Sequence, residues 1–395
     1  MRWVTAVALL ALALPRPAAA DGLDVAIGER LFRRAWVPGT ASTGAADGLG
    51  PLYAARSCAA CHRGLARAAT RAPDAADHGL AFRLGDRSGA PDPGLGRQIQ
   101  PMAAAGVAPE PVPSVAWTRV DLPAGAGRVA TERPVAAAGA PGLSVSLRAA
   151  PALDQVGRLA AIPAEAVLRV AAEQAAGTEG VAGRPHRLAD GRIGRFGWKA
   201  TAATLPDQVA DAFRLDLGLS TRRHPEPWGD CTPAQTACRS APHGALAGET
   251  APEIDEAIVL RLAAFLQGRG DPGAGRPEPR GPGPALFSQT GCATCHRPDL
   301  PSRVGAAYTD LLLHDLGPGL DDGVADGAAR PQDWRTAPLA GLAAAEKSGL
   351  MHDGRARTLE EAVAWHGGEA TSARARFFAL PRAERRALLD YLRSL

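Results

Sequence analysis

The sequence predicts a mainly α-helical protein that consists of two similar helical modules, with a loop- and β-rich insertion in the first. Three observations lead to this prediction. A short motif of cysteine and histidine occurs twice, a helical pattern of apolar residues follows each copy, and 45 glycines and 34 prolines among 395 residues indicate long irregular connections.

The composition argues against a nucleic-acid-binding protein and against a disordered chain. The chain has 44 Lys and Arg against 41 Asp and Glu, and this net charge of +3 is too small for the basic surface of a nucleic-acid-binding protein. A hydrophobic fraction of 46% excludes a disordered chain. The length predicts roughly two or three folded units.

The first 20 residues are predicted to be a secretory signal peptide. Arg2 gives a basic start, residues 4–14 are apolar, and residues 18–20 are the small residues that precede a cleavage site. The apolar run is far shorter than the roughly 20 residues that span a bilayer. We therefore expect cleavage after Ala20, no later membrane span, and a periplasmic or otherwise exported protein.

The repeated motif is C-x-x-C-H, the signature of covalent c-type haem attachment. Its thiols bind the haem and its imidazole binds the iron. A thioredoxin-like redox pair is the alternative for one copy, but two copies in an exported chain favour two covalently bound haem c groups. The attachment residues are Cys58, Cys61 and His62 in the first copy and Cys292, Cys295 and His296 in the second, with the two histidines as iron ligands.

The two remaining cysteines lie in a loop-like run without a histidine. In an oxidising compartment Cys231 and Cys238 are expected to form a disulfide that closes this loop. A reactive dithiol is the alternative, although no basic cluster nearby would lower a thiol pKa.

Similar sequence flanks each copy of the motif. Residues 50–57 precede the first copy and residues 283–291 precede the second, each starting with Gly-Pro. Apolar residues at helical spacing follow a proline at the end of each unit, after Pro252 and after Pro381. This is the opening and closing helix pair of a cytochrome c module, present twice.

The first unit is much longer than the second, because roughly 180 residues separate its motif from its closing helix. Alternating runs at residues 129–135 and 143–147 predict a β-rich elaboration in that interval. We therefore predict a first module at residues 21–267 with an insertion around residues 67–185, a linker at residues 268–284, and a second module at residues 285–395.

Several longer stretches of the chain resemble a known family. They are residues 194–200, 308–317, 334–339, 351–355 and 365–368. On these stretches and the two motifs, the chain resembles the bacterial dihaem c-type oxidoreductases of the thiol-oxidoreductase and peroxidase-like type. These proteins are distantly similar to dihaem cytochrome c peroxidases.

The resemblance implies roles for Trp198, Gln208 and Asp216. Trp198 is followed ten residues later by Gln208, as is the tryptophan that lies between the two haems of the peroxidases. Asp216 lies near the position of the acid that moves protons during peroxide cleavage. The alternative for Trp198 is a core tryptophan. His78 has the offset of a peroxidase histidine, but its surroundings do not match the peroxidase pattern.

The resemblance also implies a ligand set for the second haem. His366 follows His352 by fourteen residues, the offset of the distal ligand in the peroxidases, so the second iron is expected to have two histidine ligands. The alternative for His366 is a cap on the neighbouring helix. His314 and His352 are expected in loops beside this haem, and Arg335 and Arg355 are candidates for binding its propionates.

The resemblance implies a peroxidase-like oxidoreductase. The second haem would accept electrons from a small carrier protein of the cytochrome or cupredoxin type, and the first would reduce peroxide or a similar small oxidant. One alternative is a non-catalytic electron-transfer cytochrome with two six-coordinate haems. Another is a thiol oxidase, which needs either haem-driven thiol oxidation or a reactive pair of Cys231 and Cys238. Calcium between the modules, as in the peroxidases, is a further open possibility suggested by residues 321–323.

Overall fold

The computed structural model describes residues 22–39, 41–42, 46–71, 79–136, 144–245, 252–269, 281–300 and 305–395. The predicted signal peptide, His78 and most of the predicted linker lie outside the described residues.

The described residues form a mixed fold, so the prediction of a mainly α protein is wrong in its proportions. The helices are α1 Gly22–Arg33, α2 Cys58–Cys61, α3 Val156–Ala160, α4 Ala164–Ala176, α5 Leu205–Asp216, α6 Thr236–Arg239, α7 Glu256–Gln267, α8 Gly283–Gln289, α9 Leu342–Ser348, α10 Leu359–Ala364, α11 Thr371–Ala379 and α12 Arg382–Ser394. The strands are β1 Leu52–Tyr53, β2 Leu80–Gly85, β3 Met102–Ala103, β4 Val115–Ala124, β5 Gly127–Ala136, β6 Ser144–Ala149, β7 Leu313–Asp315 and β8 Asp333–Arg335.

The strands pair as four antiparallel two-stranded sheets within the described residues: β1 with β3, β2 with β6, β4 with β5, and β7 with β8. Strands β4, β5 and β6 lie in the interval where the sequence predicts a β-rich insertion, so the predicted strands are present there. The pair β7 and β8 was not predicted, because strands of three residues are too short to give an alternating pattern. His314, expected in a loop, lies in β7 opposite Trp334.

Closing helices are confirmed at both predicted places, as α7 and α12. Each packs against an earlier helix through a glycine. A side chain at Gly28 of α1 would collide with the Arg261 carbonyl oxygen of α7, and one at Gly283 of α8 would collide with Tyr391 of α12. Both helix pairs therefore approach more closely than larger residues would allow.

The predicted opening helix at residues 50–57 is wrong, and α1 packs with α7 instead. Three residues of this segment donate their backbone N–H groups to the end of α5: Gly50 to the Leu217 carbonyl at 2.9 Å, and Ala54 and Ala55 to the Asp216 carbonyl at 2.8 and 3.1 Å. Because these donors are used across the chain, they cannot form the hydrogen bonds of a local helix.

The described residues form two large apolar cores, and each core includes one of the two motifs. The first combines residues of α1, α3, α4, α5 and α7 with the first motif. The second combines residues of α8, α10, α11 and α12 with the second motif. Val120, Leu122 and Val129 of the β4–β5 hairpin pack against the second core, although the hairpin belongs to the insertion in the first unit.

Among the described residues, no helix has both the length and the apolar character needed to cross a membrane.

Cys231 and Cys238 are joined by a disulfide, as predicted. Replacing both with serine should lower the free energy of unfolding by about 2 kcal/mol, because a short closed loop is released in the unfolded chain. Urea denaturation of the oxidised protein measures this change. The visible spectrum should stay as in the wild type, and an unchanged unfolding free energy would contradict a stabilising role.

Candidate haem-binding site

One continuous cavity of about 990 Å³ receives both C-x-x-C-H motifs. Its volume lies at the upper end of the range for small-molecule and cofactor pockets. Residues of both cores form its wall. Of the predicted site residues, those that line it are Cys58, Cys61, His62, Trp198, Gln208, Asp216, Cys292, Cys295, His296, His314, Arg335, His352 and His366. Arg355 is not among them.

The first motif forms the short helix α2, whose start is capped by Ser57. The Ser57 hydroxyl accepts a hydrogen bond from the Ala60 N–H at 3.1 Å. Just beyond the helix, His62 Nδ1 lies 3.0 Å from the Pro151 carbonyl oxygen. When Nδ1 donates to that carbonyl, Nε2 is left as the nitrogen available to a metal.

Ionisation at the first motif is governed by burial. Burial lowers the pKa of His62 to about 4, so the ring is neutral, as a metal ligand must be. Burial, with a smaller contribution from the nearby Asp216 carboxylate, raises the pKa of Cys58 and Cys61 to about 12. Asp216 is therefore an electrostatic neighbour of the first motif.

The second motif repeats this arrangement with a different acceptor. Cys292–Thr294 form a 3₁₀ turn. His296 Nδ1 lies 3.1 Å from the Tyr308 carbonyl oxygen, and burial lowers the pKa of His296 to about 4. Neither Pro151 nor Tyr308 was identified from the sequence, because a backbone carbonyl carries no residue-type signal.

His366 faces His296 across the cavity. The two ring centres are 6.4 Å apart and the ring planes are tilted by 52°. Two metal–imidazole bonds of about 2 Å each, plus the distance from each nitrogen to its ring centre, account for this separation. His366 Nδ1 also lies 2.7 Å from the Ala362 carbonyl oxygen of α10. Both predicted roles of His366, distal group and helix cap, are compatible with this position.

The surroundings of His62 differ from those of His296. Within the described ranges, the ring contact of His62 is with Phe32, at 6.4 Å between ring centres, and not with another imidazole. A phenyl ring cannot bind a metal through nitrogen. The two motif histidines thus have different aromatic neighbours.

Helix α5 brings Gln208 and Asp216 to the cavity. The helix begins with a capping box formed by Thr204 and Asp207. Gln208 and Asp216 are eight residues apart and so lie on one face of the helix. Gln208 Oε1 is buried without a hydrogen-bond partner in the described part of the chain. An unpartnered buried acceptor on a cavity wall leaves room for a bound donor.

Asp216 is half-buried and lies beside Gln98. The Gln98 Nε2 group donates to Asp216 Oδ1 at 2.9 Å. Burial raises the pKa of Asp216 above the usual range of a carboxyl group, so it keeps a proton to higher pH. The sequence did not point to Gln98, which is brought to α5 from the insertion.

Trp198 lines the cavity that receives both motifs. Its Nε1 donates to the Ala149 carbonyl at 2.9 Å, and its ring packs against the second core. The Arg148 guanidinium lies 5.7 Å from the Trp198 ring centre and 5.3 Å from that of Trp334. Trp334 stacks on His352 at 3.7 Å with a tilt of 10°.

The other two histidines near the second motif differ in charge. Burial lowers the pKa of His352 to about 3, so it is neutral. His314 is buried between Asp310, 2.9 Å from Nε2, and Glu369, 2.8 Å from Nδ1. Although burial opposes a charge, the hydrogen bond to Asp310 raises the pKa of His314 well above the usual range. His314 is therefore an imidazolium near Cys295, whose Sγ is 3.8 Å from Nδ1.

Arg335 and Arg67 line the cavity and bind backbone carbonyls, and neither forms an ion pair among the described residues. Arg335 Nε donates to the Gly197 carbonyl at 2.9 Å, and Arg67 Nε donates to the Gly349 carbonyl at 2.6 Å. Burial lowers the pKa of each to about 10. Such guanidinium groups suit a carboxylate ligand. Arg67 was not singled out from the sequence.

Arg355 is placed differently from the other predicted propionate partners. Its guanidinium binds Asp353, with Nη2 2.7 Å from Oδ2, and the Gly319 carbonyl, 2.7 Å from Nη1. Because Asp353 already neutralises it and it is absent from the cavity wall, this geometry does not support a propionate-binding role for Arg355.

The residues of the cavity fit two haem groups. The wall supplies two pairs of thiols, two neutral imidazoles whose Nδ1 atoms are held by carbonyls, and the guanidinium groups of Arg335 and Arg67, which form no ion pair among the described residues. These are the groups that bind the porphyrin edge, the iron and the propionates of a haem.

The comparisons with known proteins agree with this geometry. The family model described as "Di-haem oxidoreductase, putative peroxidase" matches residues 143–395. No curated protein matches the chain. The matched region holds the second motif, Trp198, α5 and His366, while the first motif precedes it. Because the match spans well over half of the chain, the chain belongs to the di-haem oxidoreductase family.

Proposed function

We propose that this family member is an exported c-type oxidoreductase that reduces peroxide or a similar small oxidant near the first motif. Electrons would enter at the second motif from a small carrier protein of the cytochrome or cupredoxin type. The observation that carries the proposal is the difference between the two motif histidines. His296 faces another histidine, whereas the described ring beside His62 is a phenylalanine.

The haem groups, when bound, supply one-electron chemistry and a site for the oxidant. In this proposal the thiols of each motif attach a haem, and His62 and His296 bind the irons. His366 would be a second ligand of the second iron. Arg335 and Arg67 would hold propionates, and Trp198 would fill the space between the two sites.

Residues of α5 would serve the oxidant. Reduction of hydrogen peroxide to two waters consumes two electrons and two protons. Asp216, with its raised pKa, can hold a proton beside the first motif, and the unpartnered Gln208 Oε1 can accept a hydrogen bond from a peroxide O–H. Both residues line the cavity into which the first motif opens.

Export is supported by the disulfide between Cys231 and Cys238, because such bonds persist in oxidising compartments. The thiol-oxidase alternative receives no support from this pair, since neither cysteine lines the cavity. The electron-transfer alternative would require a second protein ligand to the first iron. The spin state of that haem therefore distinguishes an electron-transfer cytochrome from a peroxidase.

The half-reduced holoprotein should contain one high-spin and one low-spin haem. We expect the high-spin signal, seen by EPR and visible spectroscopy, to change rapidly when hydrogen peroxide is added, because the first iron would lack a second protein ligand. Two low-spin haems that do not react with peroxide would overturn the peroxidase function and identify an electron-transfer cytochrome.

His366→Ala should convert the second haem from low-spin to high-spin, since its imidazole would be lost from the iron. The visible spectrum and EPR of the oxidised protein measure this change. His243→Ala is the matched control, because His243 does not line the cavity. A low-spin spectrum retained in His366→Ala would show that another group binds this iron.

Asp216→Asn should slow peroxide turnover by about 10²-fold while leaving the spectrum of the oxidised protein unchanged. Because the pKa of Asp216 is raised, wild-type turnover should fall as pH rises through that value, and the variant should lose this dependence. The control is Asp24→Asn, whose carboxylate binds Arg261 at 3.0 Å and does not line the cavity. Equal turnover and equal pH profiles in both variants would exclude Asp216 as the proton donor.

A further inference from the structure

The side chain of Lys199 is completely buried, and its ammonium lies among four oxygen atoms. These are Asp322 Oδ1 at 3.0 Å and the backbone carbonyls of Val324 at 2.8 Å, Arg330 at 3.1 Å and Pro331 at 2.9 Å. An ammonium has three N–H donors, so the acceptors outnumber them. One carboxylate and several carbonyls are also the oxygen ligands that hard metal cations take in proteins.

The choice of lysine at this position is chemically informative. The chain has 42 arginines and only two lysines, Lys199 and Lys347. A compact ammonium can be surrounded by oxygens that converge on one point, whereas a planar guanidinium cannot. The composition and the geometry both indicate a site shaped for a spherical cation.

The charges around this site are buried and closely paired. Asp322 also binds Arg148, with Oδ2 2.8 Å from Nη2, and Arg148 binds Asp326. Asp321, which precedes Asp322 in the chain, binds Arg87 at 2.7 Å in a more exposed ion pair. Without the ammonium, the carbonyls and part of the Asp322 charge would lack a partner in a site closed to water, which is strongly unfavourable.

The site joins segments that carry residues of the haem-binding cavity. Lys199 directly follows Trp198, and its four oxygen partners all come from residues 322–331. The backbone carbonyl of Trp198 accepts a hydrogen bond from the Arg335 N–H at 3.2 Å, and the Lys199 ammonium lies 4.5 Å from the Trp334 ring centre. Fixing the ammonium therefore fixes the backbone that presents Trp198.

We propose that Lys199 is a positioning residue whose ammonium fills an oxygen-lined cation site and thereby holds Trp198 between the two motifs. The part that concerns Trp198 rests on the proposed function, whereas the cation site does not. The residues that suggest calcium in the sequence are paired with side-chain cations, so the wild-type protein should need no calcium here. Removing the side chain should open the site to a small cation such as methylammonium or calcium.

The test compares purified holoproteins of the wild type, Lys199→Ala and Lys347→Ala. Lys347 is exposed and is the matched control. We expect Lys199→Ala to melt about 5 to 10 °C below the wild type. Methylammonium or calcium should raise its melting temperature saturably, with sodium chloride at equal ionic strength as the reference. The wild type and Lys347→Ala should respond neither to these cations nor to a chelator.

A second readout addresses Trp198. The rate at which peroxide oxidises the half-reduced protein should fall in Lys199→Ala and recover with the added cation. If peroxide does not react with the wild type but the melting temperature is rescued, the cation site stands and the proposed function fails. If the wild type binds calcium with a gain in melting temperature, or no cation rescues Lys199→Ala, the proposal is overturned.

Should Lys199→Ala yield no folded holoprotein, Lys199→Gln and Lys199→Arg keep the proposal testable. The glutamine fills the space without a charge, so its melting temperature should fall without rescue by cations. The arginine keeps the charge but not the point-like shape, so it should also melt below the wild type. Melting temperatures equal to the wild type in both variants would refute a site shaped for a compact cation.

Discussion

The arrangement depends first on two hydrogen bonds, from the His62 and His296 rings to backbone carbonyls. An imidazole serves as a fixed ligand only when its second nitrogen is held, and each ring here is held by a residue outside its own motif. The backbone nearby is correspondingly strained. All non-glycine residues with positive φ in the described ranges lie within three residues of the site, namely Leu65, Ala200, Tyr308, Leu311 and Met351.

Much of the site could be predicted from the sequence because its signals are local. The C-x-x-C-H motifs fix residue types at a short spacing, and the closing helices have apolar periodicity, so both were identified. The supporting groups are not local. Gln98, Pro151 and Tyr308 reach the site only through the fold, and an acceptor carbonyl has no sequence signature. The opening helix was misplaced at residues 50–57 because the donors in that segment bond to the end of α5.

The two cores share one cavity. The predicted insertion, which makes the first unit longer than the second, contributes residues to both ends of this cavity. The insertion does more than lengthen the first unit. It supplies Gln98 beside Asp216 on one side of the cavity. On the other side, Thr131 of β5 accepts a hydrogen bond from Trp365 Nε1 at 3.3 Å and donates one to Glu361 at 2.9 Å, next to His366. Residues far apart in the chain thus support both ends of the site.

The β4–β5 hairpin also bears on how the chain acquires its structure. Its apolar face completes the second core, yet more than 200 residues separate Val120 from α10–α12. A polypeptide that begins at the second unit would leave this part of the core uncovered and open to water. Formation of that core must wait for contacts of long sequence separation, which slows folding and couples the two halves into one cooperative unit. The boundary between the sequence repeats is therefore not a boundary between independently folding pieces.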